Sequence, residues 1–138
     1  MREIKFRALA VTGEMVHGSY IHSPKNKGCL NEHRIYEHST GIDHDIIIET
    51  IGQFTGMKDI KGIDIYEGDL VEFTRGVGNW QMPSHKIQTD IVTIIWDNER
   101  CCFNIKYGNI VQKLNNFKYS RYVYKIIGNI YENKKLLN

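Results

Sequence analysis

The chain has 138 residues, 41% of them apolar and 25% charged, with a formal net charge of +2 at neutral pH. That length and balance describe a single domain able to bury one core and hardly two. No apolar run approaches the roughly 18 residues that cross a bilayer, and Arg2, Glu3, Lys5 and Arg7 precede no apolar segment of the secretory kind. A soluble cytoplasmic protein without a membrane partner is expected.

The predicted elements are short strands. From Arg2 to Val11 the chain alternates, with Ile4, Phe6, Ala8 and Ala10 on one side and Glu3, Lys5 and Arg7 on the other, and Thr12-Gly13 turns it back toward Met15 and Val16. This predicts a hairpin. From Gly18 to Asp45 the text is polar, histidine-rich and weakly periodic, broken by Pro24, Gly28 and Gly41, and only Arg34 to Tyr36 hints at a strand. It reads as a long excursion, the variable region 18–45. Asp45 to Phe54 is a further strand candidate.

Gly56, Gly62 and Gly68 then recur every six residues among Phe54, Ile60, Ile63, Ile65, Leu70 and Val71. Turn, short strand, turn is the reading, because glycine accepts positive φ without a Cβ clash. Leu70 to Thr74, Ile91 to Trp96, Cys101 to Tyr107, Ile110 to Leu114 and Tyr122 to Ile127 follow as strands, with a loop over Arg75 to Gln88 and turns at Asp97-Asn98-Glu99 and Gly108-Asn109. Short helix is expected only within Asn129–Leu137 and Val111–Phe117. The sum is an all-β protein: a small SH3-like barrel in the C-terminal half, with the N-terminal hairpin packed on it. The expected buried set is Ile65, Val71, Phe73, Val92, Ile94, Trp96, Phe103, Ile105, Ile126 and Ile130. Residues 1–138 are read as one domain, divided into an N-terminal β region (residues 1–54), a barrel-like region (residues 55–131) and a tail (residues 132–138).

Three blocks resemble a known family when taken in order. Met1-Arg-Glu-Ile-Lys-Phe-Arg-Ala8 opens the chain, Thr55-Gly-x-x-Asp-x-x-Gly62 and Tyr66-Glu-Gly-Asp69 stand in the middle, and Ile127-Gly-Asn-Ile-Tyr-Glu-Asn133 lies near the end. Together they resemble the YopX family of bacteriophage and prophage proteins, although Leu9 and Ala10 stand where that family's opening continues as Trp-Asp. The resemblance implies a small β-rich phage protein of no established activity, located in the cytoplasm of a bacterial host.

Charge is unevenly placed. Residues 1–99 hold ten basic and fifteen acidic residues, whereas residues 100–131 hold six basic residues and no acid. Those cations are interleaved with Phe103, Tyr107, Phe117, Tyr119, Tyr122 and Tyr124. Cations track phosphates while aromatic faces stack on unpaired bases, so the segment suits single-stranded nucleic acid, with Tyr107, Lys113, Lys118, Tyr119, Arg121 and Tyr122 as its candidate contacts. The competing reading is that the aromatics fill the core and the cations solvate the outer face of the same strands.

Other chemistry is weakly signalled. Cys29-x3-His33-x4-His38 offers zinc-type donors but no paired spacing, and loop histidines are the plainer reading. Asp59, Asp64, Glu67 and Asp69 sit beside glycines, where aspartate bonds its own turn backbone. Cys29, Cys101 and Cys102 form no even framework and read as structural thiols. No catalytic, cofactor-binding or metal-binding residue is assigned, and an enzyme is not expected. Two functions remain: a non-enzymatic module binding a phage or host protein, or assembling with itself, and a single-stranded nucleic-acid binder using residues 100–131.

Overall fold

Alternating side chains and glycine-bounded turns build this chain from strands, as a computed structural model of it shows for residues 3–24, 31–77, 86–114 and 122–137. Among these residues there are eleven strands, two short 3-10 turns and no α-helix. The chain forms two compact units, Met1–Gly56 and Met57–Asn138.

In the first unit, β1 (Phe6–Leu9) and β2 (Met15–His22) make the expected hairpin, with Ala8 opposite Val16 and the Gly13 amide donating to the Ala10 carbonyl. β3 (His33–Glu37), β4 (Ile42–Asp45) and β5 (Gly52–Lys58) complete the strand order β4-β3-β2-β1-β5. β5 runs through the boundary and is also hydrogen-bonded to β6 (Asp64–Tyr66). Ala8, Ala10, Val16, Ile35 and Ile46 form the core, with Phe6, Tyr20 and Ile51 packed against it.

Two details of the opening segment depart from simple alternation. Ile4 precedes β1 and is exposed, whereas Arg7 is buried. β1 is an interior strand, and Arg7 pairs with His17 on one side and Gly52 on the other. The expected excursion over 18–45 is instead largely a β2-β3-β4 meander. Its cross-strand packing is made by imidazole and phenol rings, which carry no apolar alternation: Tyr20 stacks on His33 at 6.0 Å and His22 on His33 at 5.0 Å. Gly18 is required there, because a Cβ at this position would lie 2.0 Å from the Tyr36 carbonyl oxygen.

The second unit contains β7 (Asp69–Val77), β8 (Lys86–Asp97), β9 (Cys102–Tyr107), β10 (Ile110–Lys113) and β11 (Val123–Asn129), in the antiparallel order β10-β9-β8-β7-β11. Gly56, Gly62 and Gly68 all hold φ between +81° and +85°; Gly62 and Gly68 stand in the expected turns, whereas Gly56 lies within β5, where no turn forms. Cross-strand pairs Val71–Val92, Ile94–Ile105, Trp96–Phe103, Phe73–Tyr124 and Val71–Ile126 place their side chains on one face. That face supplies most of the core: Val71, Phe73, Val92, Ile94, Phe103, Ile105 and Tyr124, joined by Ile65 and Leu114.

Two expectations change here. Trp96 is 36% exposed, its ring edge-on to Phe103 at 4.9 Å, because it stands at the end of β8 beside the Asp97 turn and covers the core's rim. Ile126 and Ile130 are half-buried. The sheet is also not closed: β11 pairs with β7, with a register shift between Ile126 and Gly128, and β10 pairs with β9, so these two strands are the edges. The expected SH3-like closure would need those edges to meet.

Candidate interaction surface

The basic segment is divided by the sheet that carries it. On β9, Lys106 and Tyr107 are consecutive and therefore point to opposite faces. Lys113 pairs with Asn104, two residues from Lys106, and so shares the Lys106 face, away from Tyr107. Tyr107 is half-buried against the core, with the Arg75 guanidinium 5.7 Å from its ring centre and donating to its hydroxyl at 3.4 Å. Tyr122 is 38% exposed, yet its ring lies 5.4 Å from Phe73 on the core side. Lys118, Tyr119 and Arg121 lie outside the described residues. Of the six candidate contacts, the described three thus fall on two faces.

Two cations of this segment are already matched by acids that precede it in the chain. Lys125 bonds Glu72 at 2.8 Å across the β7–β11 pair. Arg100 bonds Asp97 at 2.8 Å. Asp97 also accepts backbone N–H bonds from Glu99 and Arg100, each at 3.0 Å, and a side-chain bond from Asn104 at 2.8 Å. The Arg100 side chain, then these backbone donors, hold the Asp97 carboxyl below its ordinary range. Lys106 and Lys113 are exposed and make no ion pair with a described residue.

β10 is the most exposed strand of the second unit. All four of its residues face solvent, Ile110 at 49% and Val111 at 42%. Val111 pairs with Lys106 and Ile110 with Tyr107, so the two apolar residues lie on opposite faces of the same edge. Among the described residues, β10 has β9 as its one neighbouring strand. Sequence reading located this strand but gave no sign that it ends the sheet, because edge position is a property of topology.

The acidic turn residues have structural partners. Asp59 is buried, and its Oδ1 accepts from the Lys61 and Ile63 amides at 2.8 and 2.9 Å while its Oδ2 accepts from the Ile126 amide at 3.2 Å. Asp69 Oδ2 accepts from the Tyr66 amide at 2.7 Å. Asp64 pairs with Lys58. A cleft of about 180 Å³ lies between Met57–Ile60 and Tyr122–Tyr124, and the one carboxylate lining it is that of Asp59.

The described thiols belong to the second unit, and the described imidazoles lie on or beside β2, β3 and β4. Cys101 is exposed in the β8–β9 turn at φ +51°, Cys102 opens β9 half-buried, and Cys29 lies outside the described residues. His38 bonds the Ser19 hydroxyl at 2.8 Å, and His44 stands 3.4 Å from Glu37. The Thr40 hydroxyl foremost, with His44 and Ser39 adding, lowers the Glu37 pKa. His33 pairs across the ladder with His22. No helix among the described residues is long and apolar enough to cross a membrane.

The comparisons agree with this architecture. Protein EF1440 from Enterococcus faecalis, known from a crystal structure, has a similar fold, with a TM-score of 0.56 at 23% identity over 100% of both chains. No curated protein matches the chain. The family model described as YopX protein matches residues 5–138, nearly the full length. The chain therefore belongs to the YopX protein family.

Proposed function

We propose that this protein is a non-enzymatic phage or prophage accessory protein of the bacterial cytoplasm, acting through its β surface and assembling with a second copy of itself. The observation that carries the reading is β10. Natural sheets blunt their edges with charge, proline or bulges, whereas here the edge presents Ile110 and Val111 to solvent on its two faces. A second copy is the occupant that fits. Antiparallel self-pairing centred on Gln112 sets each Val111 opposite the other copy's Lys113, which shares its face, so no lysine faces its own twin. An open sheet with a partnered edge takes the place of the barrel closure expected from sequence. Asp59 and Asp69 accept bonds from turn amides, which gives these two carboxylates a structural role.

Light scattering coupled to size exclusion tests the reading. The wild-type chain is expected to run as a dimer, and the Ile110→Lys/Val111→Lys double variant as a monomer with a native circular dichroism spectrum. Because both residues are exposed, folding should change by no more than about 0.5 kcal/mol per substitution. A wild-type monomer at every concentration, or a double variant that stays dimeric, contradicts the proposal. Single-stranded oligonucleotides added at two salt concentrations examine the competing reading. Binding that weakens with salt and with Lys106→Ala/Lys113→Ala would favour nucleic acid instead.

A further inference from the structure

β2 ends and β3 begins on a histidine. The register sets His22 directly opposite His33, so their side chains share a face, and the rings stack at 5.0 Å with 14° between their planes. Glu32 lies in the bend just before β3, where its carbonyl accepts from the Ser23 amide at 2.9 Å and fixes the backbone beyond the strand. The bend brings the carboxylate beside the rings: one ligand atom from each of His22, Glu32 and His33 lies within 4.8 Å of the other two.

That spacing is close to what a metal needs. Donors bound at about 2.0–2.2 Å around a tetrahedral ion stand about 3.4 Å apart, so side-chain rotation closes the set, and His22, being exposed, is free to make it. A second feature prepares His33. Its Nδ1 is 2.7 Å from the Tyr20 hydroxyl, which leaves Nε2 as the nitrogen able to bind a cation. Tyr20 is itself anchored, packed against the core of the first unit and 5.9 Å from the Phe6 ring. A hydrogen bond to the second ring nitrogen is what orients metal-binding histidines. Arg34 is the nearby cation on β3. It lies on the opposite face from His33, and its guanidinium is held by Asp43 at 2.9 Å and the Ser23 hydroxyl at 3.3 Å.

We infer that His22, Glu32 and His33 form a binding site for a divalent ion of the zinc class, with water in the remaining positions. Two imidazoles and one carboxylate are borderline donors that suit Zn²⁺ and are too few and too nitrogen-rich for Ca²⁺ or Mg²⁺. The ion would clamp the open end of the β2–β3 pair.

The test is calorimetric titration of the chelator-treated full chain with Zn²⁺, with Co²⁺ absorption as a spectroscopic probe. One equivalent is expected to bind. His22→Ala and His33→Ala should each weaken binding at least about tenfold, as should Tyr20→Phe with the stoichiometry kept. His38→Ala and His44→Ala should bind like wild type. Should His33→Ala fail to fold, the exposed His22→Ala and the conservative Glu32→Gln carry the test. The absence of binding at millimolar Zn²⁺, or unchanged affinity in folded His22→Ala and Glu32→Gln, overturns the inference.

Discussion

Removing the Asp59 carboxylate should destabilise the second unit by about 3 kcal/mol. Asp59→Ala deletes the acceptor for three backbone amides, those of Lys61, Ile63 and Ile126. The first two belong to a turn whose Ile60 and Ile63 side chains are exposed, so water can replace part of the loss, at about 0.5–1 kcal/mol each. The Ile126 amide lies inside the β7–β11 region and is reached from 67 residues away, and leaving it unpaired costs about 1–3 kcal/mol. Asp59→Asn keeps one carbonyl oxygen and should lose about half as much. Urea unfolding followed by tryptophan fluorescence suits the question, because Trp80 and Trp96 both fall within Met57–Asn138. The midpoint should fall at constant slope, in the order wild type, Asn, Ala. A loss below about 1 kcal/mol for Ala, or equal losses for Asn and Ala, would refute the view that this aspartate staples the turn to β11.

Three further outcomes follow from the same geometry. Gly68→Ala should cost about 1–2 kcal/mol by thermal denaturation, since φ is +84° and the new Cβ would lie 3.2 Å from the Tyr131 ring. Gly18→Ala should cost about 1–3 kcal/mol and raise amide exchange along β2 and β3, because its Cβ cannot share space with the Tyr36 carbonyl. Because the folded-state pKa of Asp97 is lowered, its stabilising effect is present above the ordinary carboxylate range and is lost as pH falls through the depressed value. The stability gap between wild type and Asp97→Asn should therefore be largest near neutrality and shrink on acidification, as read from urea midpoints across pH.

What the sequence disclosed depended on the kind of signal involved. Gly62 and Gly68 announced turns because positive φ selects glycine, and both adopt it, while Gly56 adopts the same φ inside β5. Val71, Val92, Ile94 and Ile105 announced a core face because β-branched residues alternate along strands that pair in register. β3 was harder to see, since Ile35 is its one buried apolar side chain and the rest of its packing uses Tyr20, His22 and His33. The cation-rich run overstated the available charge: Glu72 and Asp97, the partners of Lys125 and Arg100, precede the run in the chain. Alternation then separates Lys113 from Tyr107, which no count of residue types can reveal. The His22–Glu32–His33 group likewise appears only once the register sets positions eleven residues apart side by side.

Hydrogen exchange along β10 tests the central claim most directly. If a second copy adds its strand to this edge, the amides of Ile110–Lys113 that point away from β9 should exchange slowly in concentrated solution and quickly on dilution. Those on the β9 side should change little, and the Ile110→Lys/Val111→Lys variant should exchange quickly at all concentrations. Equal exchange of the outward amides in dilute and concentrated samples would contradict the account.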